Sequence, residues 1–448
     1  MAQSLFIFIV AILLTIFASG GPKSDPQPAA PAPPVAVEAP HETEGEGAAV
    51  KEAPGQDALG EGRVLADRVP LWEARGSGRV LTELDEGEVV DILEQEGDWW
   101  RVRDRAGRTG YVRGFLLEPA APGSTAPIVL GYYMATATAD EALRSHVDHL
   151  TDLSPWTWQI GPDGSLNPDF PQGKTAAALA FAGRKGVGTH VLIHNFQGGA
   201  FDAGLATRIL TSPEVRDRIA AELLQLAETW RFKGVHVDFE NVPPEARDHL
   251  TDFIAELALR LRPAGIQLSM AVPARTHTSG GQGYDYGALA RHLDFMVVMT
   301  YDQHWQGGAP GPVAGIDWVN QVVDYMLDVG VPANKLVLGL AGYGYDWSVS
   351  RAGAEWAQAL THAQVMARLE EARRRDPSVT LQWDPQAHVP YFAYGDRIVY
   401  FENADSISHK LELVRNRGLA GVALWRLGQE DPALWSLLRH YLGTGRAA

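Results

Sequence analysis

The chain has 448 residues, with 38 Lys and Arg against 55 Asp and Glu, a net charge of −17, 46% hydrophobic residues and no cysteine. That length allows two or three domains with cores of their own, and the acidic balance argues against a polyanion such as nucleic acid as the main ligand. The missing cysteines exclude disulfides, thiolate metal sites, a cysteine nucleophile and a lipidated cysteine.

Residues 5–17 read LFIFIVAILLTIF, followed by Ala18, Ser19 and Gly20. The apolar run is short for a bilayer span and suits the core of a secretory signal with a small-residue cleavage site. No Lys or Arg precedes it, so an uncleaved N-terminal anchor is the alternative. Residues 1–20 are thus expected to export the chain, to the exterior or to the cell wall or membrane. Residues 21–61, rich in Pro, Ala, Glu and Gly, bury too little apolar surface to offset their ordering entropy and are expected to form an extended tether.

Short alternating runs separated by glycine-containing turns predict a small all-β domain over residues 62–119. Its order, GEVVDILEQEGDWWRVRDRAGRTGYVRGFLLEP, with Trp99-Trp100-Arg-Val, Gly110-Tyr111-Val112 and a closing Leu-Leu, resembles bacterial SH3 domains. That resemblance implies a small barrel and a role in binding cell-wall peptide, with a plain spacer as the alternative.

Strand-like and helix-like runs then alternate. Strands are expected at residues 128–134, 156–160, 189–194, 234–240, 267–274, 295–302, 335–342 and 421–427. Ser212 and Pro213 start a helix with the apolar stripe Val215, Ile219, Leu223, Leu226, Trp230; a second carries Leu250, Phe253, Ile254, Leu257 and Leu261 and stops at Pro263. The pattern predicts an α/β fold, a (β/α)8 TIM barrel over residues 125–445. The gap before the last strand is too long for one helix, so residues 348–400 or so are expected to form an α+β insertion after strand seven.

Catalytic groups of such barrels sit at the C-terminal ends of the strands. The fourth strand reads Phe232-Lys-Gly-Val-His-Val-Asp-Phe-Glu240-Asn, and alternation turns His236, Asp238 and Glu240 to one inward side. Two acids pointing into a barrel are costly as packing alone, although a salt-bridged pair at the rim is the bland reading. This segment resembles the DxxDxDxE strand of family 18 glycoside hydrolases, chitinase-like enzymes, and most of all their branch of spore-cortex-lytic and other wall-acting N-acetylglucosaminidases. Three further stretches fit that family in order: Met299-Thr-Tyr301-Asp302, Gly342-Tyr343-Gly-Tyr345-Asp-Trp347, and Gly421-Val-Ala-Leu-Trp425-Arg-Leu-Gly.

The resemblance implies a retaining, substrate-assisted reaction in which the substrate's 2-acetamido oxygen attacks the anomeric carbon. Glu240 is then the acid and later the base, Asp238 orients the acetamide, Tyr301 holds its oxygen, Asp302 binds beside it, and Trp425 is the apolar floor, with ordinary packing as the alternative for Trp425. Tyr343, Tyr345, Trp305 and Trp347 are candidate sugar-stacking surfaces. Lys233 and His236 depart from the motif, which has acids there. His236 lies one alternation from Asp238 and is expected to hydrogen-bond it as a supporting residue on the substrate side of the strand. No metal-ligand spacing or phosphate loop occurs, so no metal and no cofactor is expected. An exported N-acetylglucosaminidase acting on peptidoglycan is the leading expectation, as a monomer whose partner is that polysaccharide. A chitinase or other poly-N-acetylglucosamine hydrolase comes second, and a non-catalytic carbohydrate-binding protein third.

Overall fold

The computed structural model describes residues 60–119, apart from 65, 67, 76, 86–87, 97–98 and 105, and residues 127–443, apart from 157, 278–282 and 354. The expected signal and nearly all of the expected tether lie outside the described residues. The described part divides into two compact units on either side of residue 123. The first is a seven-stranded antiparallel sheet in the order Ser77–Leu84, Val69–Ala74, Thr109–Arg113, Trp99–Arg103, Val89–Glu96, Gly60–Val64, Leu117–Pro119. Alternate residues of these strands, Leu71, Val90, Ile92, Val102 and Val112 among them, close a small apolar core. Gly60–Val64 already pairs with the strand at Val89, so this domain begins slightly before the expected residue 62.

The second unit is a closed parallel barrel. Its strands are β1 Ile128–Tyr133, β2 Asp152–Pro155, β3 Gly188–His194, β4 Gly234–Asp238, β5 Gln267–Pro273, β6 Phe295–Met299, β7 Leu336–Ala341 and β8 Gly421–Trp425. Each pairs in parallel with the next, and β8 with β1, closing the ring. Outward residues such as Val235, Val237, Leu268, Met270 and Leu338 pack under the helices; Leu130, Leu192, Phe295, Val297, Val337 and Ala423 fill the interior. The helix Pro213–Trp230 starts where expected, with the Ser212 hydroxyl accepting from the Val215 N–H. The helix Arg247–Leu261 buries the five expected apolar residues and stops before Pro263.

Two elements depart from expectation. The barrel strand β2 is Asp152–Pro155, ahead of the expected 156–160; the chain breaks at Trp156, and Trp158–Ile160 resumes beside β3 at the barrel mouth. Pro155 has no N–H to continue the ladder, and the break frees the Trp156 side chain. The insertion begins at Tyr343 rather than residue 348. Tyr343–Ser348 is the second strand of a five-stranded antiparallel sheet with Gln358–Thr361, Arg397–Phe401, Val389–Tyr394 and Gln382–Asp384. Asp346, fully buried in that sheet, is held by Arg397 and Arg368 and by the Tyr394 hydroxyl at 2.6 Å.

Candidate active site

Beside its apolar residues the barrel interior also buries Asp152, His190 and His236. At the N-terminal end Asp152 accepts from the Lys233 ammonium at 2.9 Å and lies 2.8 Å from His190 Nε2. These neighbours hold its carboxyl far below the ordinary range against the opposing effect of burial. Lys233, which stands where the family has an acid, is therefore a closing ion pair at the barrel's foot. Gly234 is required here, since a Cβ on it would sit 2.5 Å from His190 Nδ1.

One layer up is His236, fully buried. Its Nε2 is 2.8 Å from the Tyr132 hydroxyl and its Nδ1 2.8 Å from Ser269 Oγ. The Ser269 hydroxyl donates to the Val235 carbonyl at 3.3 Å, so it accepts from Nδ1–H, and Nε2 accepts from Tyr132. Burial pushes the imidazole down to about 3, so it is neutral. The expected hydrogen bond to Asp238 is absent. Residues two apart on a strand are about 6.6 Å apart along it, whereas Tyr132 and Ser269 face the ring from other strands. His236 is thus an interior residue, not a surface on the substrate side.

At the mouth, Asp238 ends β4 and Glu240 follows. Trp156 Nε1–H donates to Asp238 Oδ2 at 3.4 Å, while buried Oδ1 has no partner among the described residues. The Glu240 backbone is clamped by the fully buried Asn195, which takes its N–H on Oδ1 (3.0 Å) and donates Nδ2 to its carbonyl (2.9 Å). Behind it the Tyr284 hydroxyl donates to the Phe239 carbonyl at 2.9 Å. Burial, then the Asp238 and Asp302 charges, push the Glu240 carboxyl far up, and burial raises Asp238 as well. Trp156, Asn195 and Tyr284 were not singled out in the sequence.

Tyr301 and Asp302 follow β6. A Cβ at Gly339 would sit 3.1 Å from the Tyr301 ring, so that glycine of β7 makes its space. The Tyr301 hydroxyl has no hydrogen bond among the described residues, and the charges of Asp238, Glu240 and Asp302 are felt at it. Asp302 has a left-handed backbone (φ 58°) and accepts from the Tyr343 hydroxyl at 2.6 Å and the Tyr345 hydroxyl at 2.9 Å. The rings of Tyr343, Tyr345 and Trp347 are buried, so the expected stacking faces are not open; the two tyrosines hold Asp302 instead. Trp425 is half-buried, edge-on to Tyr132 (centroids 5.3 Å apart) and Trp156 (6.0 Å). Trp305 is half-buried, edge-on to the exposed Trp356 at 5.6 Å. A proton donor, a second carboxylate and a phenol without a hydrogen-bond partner among the described residues thus share the C-terminal mouth of the barrel, an arrangement suited to cleaving an acetal with assistance from a substrate group.

Residues 192–430 match the family model for glycosyl hydrolases family 18, and residues 73–117 that for the bacterial SH3 domain. The chain is 30% identical over 308 residues to the cortical fragment-lytic enzyme of Bacillus anthracis, covering 66% of this chain and 69% of that protein. Among solved structures it resembles the Bacillus cereus spore cortex-lytic enzyme SleL (28% identity, TM-score 0.65, 76% of this chain and 79% of that one). It also resembles a chitinase from Chromobacterium violaceum (29% identity, TM-score 0.65, 71% of this chain and all of that one).

Proposed function

The chain belongs to glycosyl hydrolase family 18 and is a glycoside hydrolase, and we propose that it cleaves the N-acetylglucosamine-containing glycan of peptidoglycan with retention of configuration. The observation that carries this is Glu240, clamped at the mouth of β4 with its carboxyl pushed up and Asp238 beside it. A carboxyl still protonated near neutrality is a general acid for the leaving oxygen. Asp238 has a free oxygen to receive the acetamide N–H, and the open Tyr301 hydroxyl faces the acetamide oxygen as that oxygen attacks the anomeric carbon. Water then opens the oxazolinium ion, with Glu240 as base. Trp425 lies under the ring.

Similarity to cortex-lytic enzymes supports a wall glycan, as does the SH3-type domain, which we assign to holding the enzyme on wall peptide. The apolar run at residues 5–17 supports export. Similarity to a chitinase supports chitin as the second reading. Mass spectrometry of products from purified glycan strands, chitin and a β-1,6-linked N-acetylglucosamine polymer, treated in parallel, separates the readings. Release of fragments ending in reducing N-acetylglucosamine from the strands is expected. Rapid cleavage of fully deacetylated chains would exclude the substrate-assisted route.

A further inference from the structure

Arg426 follows Trp425 directly, at the C-terminal end of β8 and so on the catalytic rim of the barrel. Its side chain is half-buried, and its Nε is buried with no hydrogen-bond partner among the described residues. Among the described residues no carboxylate lies within ion-pair distance of it. Glu430, four residues on, is already taken by the Gly428 and Gln429 N–H groups at 2.7 and 2.9 Å and by Trp435 Nε1 at 3.2 Å. Other sheltered arginines are paired: Arg216 is forked onto Glu256 and Arg397 onto Asp346. Burial without a counter-charge lowers the Arg426 guanidinium to about 10. A sheltered cation without a partner is costly, and a neutral sugar polymer does nothing to offset that cost. The Arg426 side chain is not fully enclosed, and a planar anion matches the geometry of its fork.

We propose that Arg426 binds a carboxylate carried by the saccharide chain, the free lactyl-ether carboxylate of an N-acetylmuramoyl unit that bears no peptide, and so selects peptide-free acidic wall glycan over neutral poly-N-acetylglucosamine. This rests on the proposed hydrolysis of N-acetylglucosamine polymers and specifies the substrate class of that site. The test compares wild type, Arg426→Gln and Arg426→Lys on three soluble substrates: alternating N-acetylglucosamine–N-acetylmuramic acid strands, the same strands with their carboxylates converted to methylamides, and chitohexaose. The reading is the ratio of kcat/KM on acidic strands to kcat/KM on amidated strands. It is expected to fall about tenfold in Arg426→Gln, the loss of one charge-assisted contact, with Arg426→Lys in between. Added salt should lower the wild-type ratio and leave that of Arg426→Gln flat. An unchanged ratio in Arg426→Gln overturns the assignment, as does an equal loss on all three substrates, which marks a structural role. Should Arg426→Gln fail to melt cooperatively, the ratio in Arg426→Lys decides alone, by the same criterion. A wild type that cleaves none of the three refutes the hydrolase reading itself.

Discussion

His236→Phe keeps a flat ring against Phe295, with which the imidazole stacks at 6.3 Å, and removes both ring nitrogens. Ser269 retains its bond to the Val235 carbonyl, whereas the Tyr132 hydroxyl loses its one hydrogen-bond partner among the described residues, at 2.8 Å. One lost hydrogen bond at about 1 kcal/mol and one stranded hydroxyl at about 1–3 kcal/mol give a destabilisation of roughly 2–4 kcal/mol. Urea unfolding followed by tryptophan fluorescence reads it. The effect on chemistry is expected to be small. Neither nitrogen touches Asp238 or Glu240, and the ring is neutral because burial holds it near 3. Turnover of folded protein should therefore drop less than about tenfold, about 1.4 kcal/mol in the barrier. Above about pH 4 the shape of the kcat profile should be unchanged. A variant of near-native stability that is as inactive as Glu240→Gln would refute the reasoning, because the imidazole would then be moving the proton.

Glu240→Gln should lower turnover by at least about a hundredfold with sugar binding nearly intact, read by kinetics and by calorimetry on a soluble oligosaccharide. Asn195→Ala should cost about 1–3 kcal/mol in stability and roughly tenfold or more in kcat, because it frees the backbone that aims Glu240; unchanged turnover would show the clamp to be dispensable. For pH, folded His236 titrates near 3 and an unfolded histidine near 6.5, so the unfolded state binds more protons between these values and wild type loses stability as pH falls. The stability gap between wild type and His236→Phe should therefore narrow by up to about 1.4 kcal/mol per pH unit below about pH 6, whatever the carboxylates common to both contribute. Removing residues 1–120 should weaken pull-down on peptidoglycan sacculi and spare hydrolysis of soluble oligosaccharides; equal pull-down would leave the SH3-type domain a spacer.

Much of the scaffold was legible because period-two and period-3.6 patterns report which face is buried, as along β4 and the helix Arg247–Leu261. The second strand was misplaced because its tryptophans read as strand residues, while Pro155 ends the ladder one residue earlier. Within the site, Glu240 and Asp238 were legible because acids on an inward face have few structural reasons to be there. Asn195 was not, since its task is to pair with a backbone on the neighbouring strand, and no local pattern encodes that. Tyr343 and Tyr345 drew notice as aromatic rings, yet it is their hydroxyls that act, through a carboxylate 41 and 43 residues away. The same limit applies to His236: alternation puts it on the right face, and only the closed barrel brings Tyr132 across to it.

Hydrogen-bond accounting also decides which acid keeps the proton. Asp238, Glu240 and Asp302 share one mouth, and no Lys or Arg among the described residues forms an ion pair with any of them. Three negative charges in a desolvated site with no cation paired to any of them repel one another, so the cluster favours retaining protons. Asp302 receives two tyrosine hydroxyls and Asp238 one indole N–H, contacts that favour their ionised forms. The Glu240 side chain receives none, and both neighbouring charges oppose its ionisation. The proton therefore rests on Glu240, the acid that the backbone clamp of Asn195 aims into the mouth. The neutral His236 strengthens this distribution: an acid in its place would add another carboxyl to compete for the same proton, whereas the imidazole, its Nδ1–H donated to Ser269 and its Nε2 occupied by Tyr132, neither gives nor takes one.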